Sequence, residues 1–115
     1  MFDLNKVSTQ RRRRRKESRA HIDFQAINEC ALFHLPELLH RWVPDGIQKG
    51  REWIARNPRR TDHRLGSFCI NLDTGKWADF ATDARGGDVV SLAAYLAGMG
   101  QAEAAHHLAE MLRMN

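Results

Sequence analysis

The sequence predicts an α+β domain: a small antiparallel sheet with helices before it and after it. Three observations carry this. An apolar stripe at helical spacing occupies residues 22–43. A run of short alternating segments broken by turn residues follows. Apolar periodicity of the helical kind then returns after Asp88. The whole chain is 115 residues, enough for one modest core.

In the first helical stretch Ile27, Ala31, Leu35, Leu38 and Trp42 recur three or four residues apart and share one face. Pro36 cannot donate the N–H that a continuing helix needs, but it fits a first turn. The stretch therefore divides into one helix over Asp23–Phe33 and another over Pro36–Trp42, and Pro44-Asp45-Gly46 ends the second. Strands are expected at Glu52–Arg56, Ser67–Leu72 and Lys76–Ala81. Asp73-Thr74-Gly75 joins the last two, with Gly where positive φ costs least. The polar link Asn57–Gly66 reads as a loop. Asp88 can cap a helix over Val89–Ala97, Gly98 and Gly100 stop it, and Gln101–Met114 forms a last helix. Trp53, Phe68, Ile70, Trp77 and Phe80 are the expected sheet contribution to the core.

Charge divides the chain differently. Residues 1–20 carry eight basic and two acidic side chains, whereas residues 21–115 carry ten basic and twelve acidic. The six consecutive cations Arg11–Lys16 repel one another and bury no face, so 1–20 reads as a disordered basic tail and 21–115 as the folded domain. The tail is either an arm that neutralises phosphates or a solvated extension. No run of eighteen apolar residues is present and the N-terminus has no apolar signal core, so a cytoplasmic protein without a membrane span is expected. In that compartment Cys30 and Cys69 read as packed thiols rather than a disulfide. His106 and His107 are adjacent on a helix, about 100° apart, and read as surface histidines, not a metal pair.

The segment Gly50–Leu92 carries the most information. It contains Trp53-Ile54-Ala55-Arg56-Asn57-Pro58-Arg59-Arg60, then Ser67-Phe68-Cys69-Ile70, then Lys76-Trp77-Ala78-Asp79-Phe80-Ala81-Thr82, and finally Gly86-Gly87-Asp88-Val89-Val90-Ser91. In its order of motifs it resembles the N-terminal zinc-ribbon domain of bacterial and phage DNA primases, over about Ile22–Leu112. In that family a Cys-Pro-x-His pair ends one strand and a Cys-x-x-Cys hairpin follows a Ser-Phe strand. Here Asn57 and Arg60 stand at the first pair and Asp79 and Thr82 at the second. These four cannot supply the thiolates and imidazoles of a tetrahedral zinc site, and His63 and Cys69 nearby do not make a second pair. No zinc and no other cofactor is therefore expected, and the core must supply the stability that metal gives the family. Such metal-free forms of the module suit the primase–helicase proteins of phages, plasmids and integrative elements.

The resemblance implies a template-binding module that contacts single-stranded DNA with its sheet. The implied DNA-binding residues are Lys49, Arg51, Trp53, Arg56, Arg59, Arg60, Arg64, Lys76, Trp77 and Arg85, with Phe68 among the strand aromatics. The stretch 49–64 alone carries six basic and two acidic residues. Trp53, Phe68 and Trp77 have two readings, as rings exposed among cations for stacking on bases or as core. Gly86 and Gly87 permit a tight turn into the helix that Asp88 caps, a structural role preferred over phosphate binding beside Arg85. The alternative function is a protein-interaction adaptor that docks on a primase or helicase domain. An enzyme is not expected: there is no phosphate-binding Gly-x-x-x-x-Gly-Lys loop, and Asp73, Asp79, Asp83 and Asp88 are spread over a turn, a strand and a cap.

Overall fold

A computed structural model describes residues 22–59 and 67–114. The basic tail 1–20 lies outside the described residues, as do Arg60, His63 and Arg64. The elements are α1 (Phe24–Phe33), α2 (Leu35–Trp42), β1 (Ile47–Lys49), β2 (Glu52–Ala55), β3 (Phe68–Asn71), β4 (Trp77–Asp79), β5 (Ala84–Gly86), α3 (Val89–Ala97) and α4 (Gln101–Met111). The arrangement is α+β, as the sequence predicts, with the five strands in one antiparallel meander ordered β1-β2-β3-β4-β5.

Local chemistry sets the element ends. Asp23 caps α1 by accepting from the Ala26 N–H at 3.0 Å, and His34 separates α1 from α2, which has Pro36 in its first turn. Short turns join β1 to β2, β3 to β4 and β4 to β5. Gly50, at φ +63°, takes the first position of the two-residue β1–β2 turn, where the twist of the hairpin demands glycine. In the β3–β4 turn the Asn71 side chain accepts from the Asp73 and Thr74 N–H groups at 2.8 and 3.0 Å, and Gly75 sits at φ +78°. At the start of α3, Asp88 and Ser91 form a reciprocal capping box, and Asn28 of α1 accepts from the Val90 N–H at 2.9 Å.

The core lies between the sheet and the helices. Strand residues Trp53, Ala55, Phe68, Ile70 and Trp77 meet Leu35, Leu39 and Trp42 of α2, Val89, Val90, Leu92, Ala93 and Leu96 of α3, and Ala104, Ala105 and Leu108 of α4. Each large apolar side chain buried there contributes about 1.5–3 kcal/mol. The stripe Ile27, Ala31, Leu35, Leu38 and Trp42 is buried throughout.

Four expectations need correction. The sheet has two strands beyond the three expected, β1 and β5, each only three residues long and at an edge. The last helix stops at Met111 rather than Met114. His107 is buried, with Nε2 3.7 Å from Glu103 Oε2, because it falls three residues after Ala104 on the inward face of α4. Phe80, expected in the core, is 75% exposed.

Candidate nucleic-acid interface

Strand alternation separates the two faces of the sheet. Trp53 and Ala55, Phe68 and Ile70, and Trp77 and Asp79 all point toward the helices. Their neighbours therefore form an open face. The register aligns Ile47, Ile54, Cys69, Ala78 and Arg85 in one row across all five strands, and Lys49, Glu52 and Asn71 in the next. Beyond the other end, the Phe80 N–H donates to the Ser67 carbonyl at 2.8 Å, which brings Phe80 alongside Ser67. Arg56 continues β2 in phase with Ile54, and Lys76 leads into β4 in phase with Ala78.

The result is a shallow platform. Cys69 and Ala78 make a floor of small side chains, and Phe80 stands up at one end. Lys49, Arg56, Lys76 and Arg85, all exposed, surround the floor. Glu52 is the carboxylate within this face, and it accepts from Asn71 Nδ2 at 3.1 Å. On the rim Arg51 pairs with Asp73 at 2.8 Å, while Asp83 holds the β4–β5 turn at φ +69°.

Of the residues the sequence singles out, the fold thus gathers Lys49, Arg56, Lys76 and Arg85 on one surface, with Arg51 at its edge. Arg59 is directed elsewhere: its guanidinium lies 5.2 Å from the centre of the Tyr95 ring and donates to the Tyr95 carbonyl at 3.0 Å, behind the sheet. Arg60 and Arg64 lie outside the described residues. The stacking role is overturned for Trp53 and Trp77, which are 3% and 5% exposed. Trp53 Nε1 donates to the Val43 carbonyl at 3.1 Å and Trp77 Nε1 to Ser91 Oγ at 2.9 Å, so both rings are pinned face-in by their polar ends. Phe68 is fully buried and cannot stack either. The exposed ring is Phe80. Its signal was present in the sequence, since it shares the phase of Lys76 and Ala78 and opposes that of Trp77 and Asp79.

Gly86 and Asp88 serve structure. A Cβ on Gly86 would lie 2.3 Å from Ser91 Oγ and 2.4 Å from Trp77 Nε1, so only glycine leaves room for the bond between them. Gly87, expected to be needed for the same tight turn, has open space around it and no positive φ, so the turn does not require glycine there.

A second polar cluster lies behind the platform and includes Asn57 and Asp79, two of the four residues expected to stand where the resembled family has metal ligands; Thr82 is exposed in the β4–β5 turn. Asn57 Nδ2 donates to Asp79 Oδ2 and to the Tyr95 hydroxyl, both at 2.8 Å, while Asn57 Oδ1 accepts from the Arg59 N–H at 2.8 Å. Asp79 Oδ1 accepts from the Ala81 N–H at 2.9 Å and so shapes the β4–β5 turn. Asn57 and Asp79 are 1% and 0% exposed. An amide that donates into a carboxylate ties two strand ends together much as a shared metal does, but it offers no ligand set for zinc. Among the described residues no group of three or more His, Cys, Asp or Glu side chains could hold a metal ion.

Cys69, at the centre of the open face, is not in a disulfide. Its thiol pKa is raised, first by burial and then by the carboxylates of Glu52 and Asp79. Among the described residues no helix is long and apolar enough to cross a membrane. No protein-family model, curated protein or solved structure matches the chain.

Proposed function

We propose that this chain binds single-stranded DNA on the open face of its sheet. In this reading it is the non-catalytic, cytoplasmic template-binding module of a primase- or helicase-type replication protein from a phage, plasmid or integrative element. The observation that carries the proposal is the frame of Lys49, Arg56, Lys76 and Arg85 around a floor of Cys69 and Ala78, with the exposed Phe80 ring among them. Exposed cations around a flat face can pair with phosphates, and an exposed ring offers a stacking surface to any base. An unpaired strand suits the geometry better than a duplex. The face is a flat sheet with no helix projecting from it to enter a major groove, and stacking on Phe80 requires an unstacked base.

The test is fluorescence anisotropy with labelled oligo(dT) over a salt series. Because Arg11–Lys16 attracts polyanions of any kind, the decisive quantity is the change caused by sheet variants. Four phosphate contacts contribute about −3 to the slope of log affinity against log salt for a single strand. Substituting Lys49, Arg56, Lys76 and Arg85 by Ala is expected to remove that share. Phe80→Ala is expected to weaken binding by about 1–3 kcal/mol, or roughly five- to 150-fold, without changing the slope. Affinity and slope that stay unchanged in both variants would refute the proposal.

A further inference from the structure

A second surface lies on the helical layer, away from the platform. Between α2 and the C-terminal end of α4 runs a solvent-open groove of about 630 Å³. Leu38 and Met111 form part of its apolar lining, and His34, His40, Arg41 and Arg113 stand around them. Glu37 is the carboxylate of the lining, 82% exposed, with Oε1 4.0 Å from His34 Nδ1. Phe33, whose ring meets the His34 ring edge-on at 5.2 Å, stands next to the groove and is 82% exposed. His40 is anchored by an edge-on contact with Trp53 at 4.8 Å, which couples this wall to the core.

We infer that this groove docks an acidic peptide segment of a partner protein, with apolar side chains of the peptide seated on the half-buried Met111 and Leu112. Charge complementarity selects the occupant. Two guanidiniums, Arg41 and Arg113, face one carboxylate, Glu37, so an anionic chain is favoured. The chain's own tail is excluded on the same ground, since residues 1–20 carry eight basic side chains and two acidic ones. The residue types separate a peptide from a nucleic acid. Arg and Met without lysine fit the composition of protein interfaces, the exposed Phe33 stands beside them, and Met adapts its shape to different apolar partners. A phosphate backbone would leave the apolar surface of Met111 and Leu112 unused. The inference is independent of DNA binding on the sheet.

The test uses the full chain and a fluorescein-labelled pool of octapeptides that alternate Asp or Glu with Leu or Phe. A second pool carries Asn or Gln in place of the acids. The acidic pool is expected to bind at least tenfold more tightly than the amide pool; because Arg11–Lys16 also attracts acidic peptides, the groove's share is the part lost in the groove variants. The double variant Arg41→Glu/Arg113→Glu is expected to lose at least tenfold of that affinity, and Phe33→Ala several-fold. All three side chains are exposed, so thermal unfolding serves as the check that the fold is retained. Lys49→Glu/Lys76→Glu, on the sheet, is expected to bind the acidic pool as the wild type does. Equal binding of the two pools, or an unchanged affinity in the Arg41/Arg113 variant, would overturn the inference. So would a loss of oligo(dT) affinity in that variant with peptide binding intact, which would make the groove a nucleic-acid surface.

Discussion

Replacing Asn57 by Ala is expected to cost about 3–5 kcal/mol of folding stability. The side chain is 1% exposed and takes part in three hydrogen bonds, two as donor to the Asp79 carboxylate and the Tyr95 hydroxyl and one as acceptor from the Arg59 N–H. A bond to a charged group contributes about 1.5–3 kcal/mol net and a neutral bond about 0.5–1.5 kcal/mol, and a buried carboxylate that loses a donor carries a further penalty. Against a total stability of about 5–15 kcal/mol for a native protein, the loss is a large fraction. Urea unfolding followed by tryptophan fluorescence measures it, since Trp42, Trp53 and Trp77 are all buried and all report on the core. Asn57→Asp adds a pH signature. It sets a second carboxylate where an amide now donates to Asp79, and one of the pair must then hold its proton far above the usual carboxylate range. A folded-state pKa raised above the unfolded value of about 3.9 means the variant's deficit is smallest below that pH and grows as pH rises through the folded pKa. A loss under about 1 kcal/mol for Asn57→Ala, or a deficit in Asn57→Asp that does not change with pH, would refute the idea that this cluster locks the end of β2 to β4 and α3.

Other perturbations test neighbouring parts of the account. Gly86→Ala is expected to destabilise by about 1–3 kcal/mol, because its Cβ would enter the space of the Trp77–Ser91 hydrogen bond, whereas Gly87→Ala, in open space, should stay within about 0.5 kcal/mol; thermal melts compare the two. Asp88→Ala should cost about 1 kcal/mol by removing the cap on the Ser91 N–H, seen as faster amide exchange in the first turn of α3. Alkylation of Cys69 by iodoacetamide, followed by mass spectrometry, should be slow at neutral pH and keep accelerating above the ordinary thiol range. Glu52→Gln removes one of the carboxylates that raise this pKa and should speed the reaction at a given pH.

The helices were readable from the sequence because their signals are local. The stripe from Ile27 to Trp42, Pro36 in a first turn and the Asp88 cap each depend on residues within one or two turns. The central strands were readable for the same reason, as was the Asp73-Thr74-Gly75 turn. The two edge strands were not. Ile47–Lys49 and Ala84–Gly86 are three residues each, too short to show alternation, and they exist through pairing with β2 and β4. The candidate surface was half legible. Basic residues can be found by type, but which of them share a face follows from strand phase and register for Lys49, Arg56, Lys76 and Arg85, and Arg59 is drawn away by its contacts with Tyr95. The aromatics show the limit most clearly. Trp53 and Trp77 look like stacking rings beside cations, yet their indole N–H groups find partners inside, and the smaller Phe80 is the ring left outside. In the sequence Asn57 and Asp79 stand out only for the ligands they are not; their mutual hydrogen bond depends on side chains 22 positions apart.

The most direct measurement of where DNA sits is the reactivity of Cys69, which lies in the row Ile47, Ile54, Cys69, Ala78 and Arg85 on the open face. In a Cys30→Ser background, saturating oligo(dT) is expected to slow alkylation of Cys69 several-fold, and Phe80→Ala should raise the oligonucleotide concentration needed for that protection. An unchanged rate while anisotropy shows the oligonucleotide bound would place the DNA elsewhere on the chain and contradict the account.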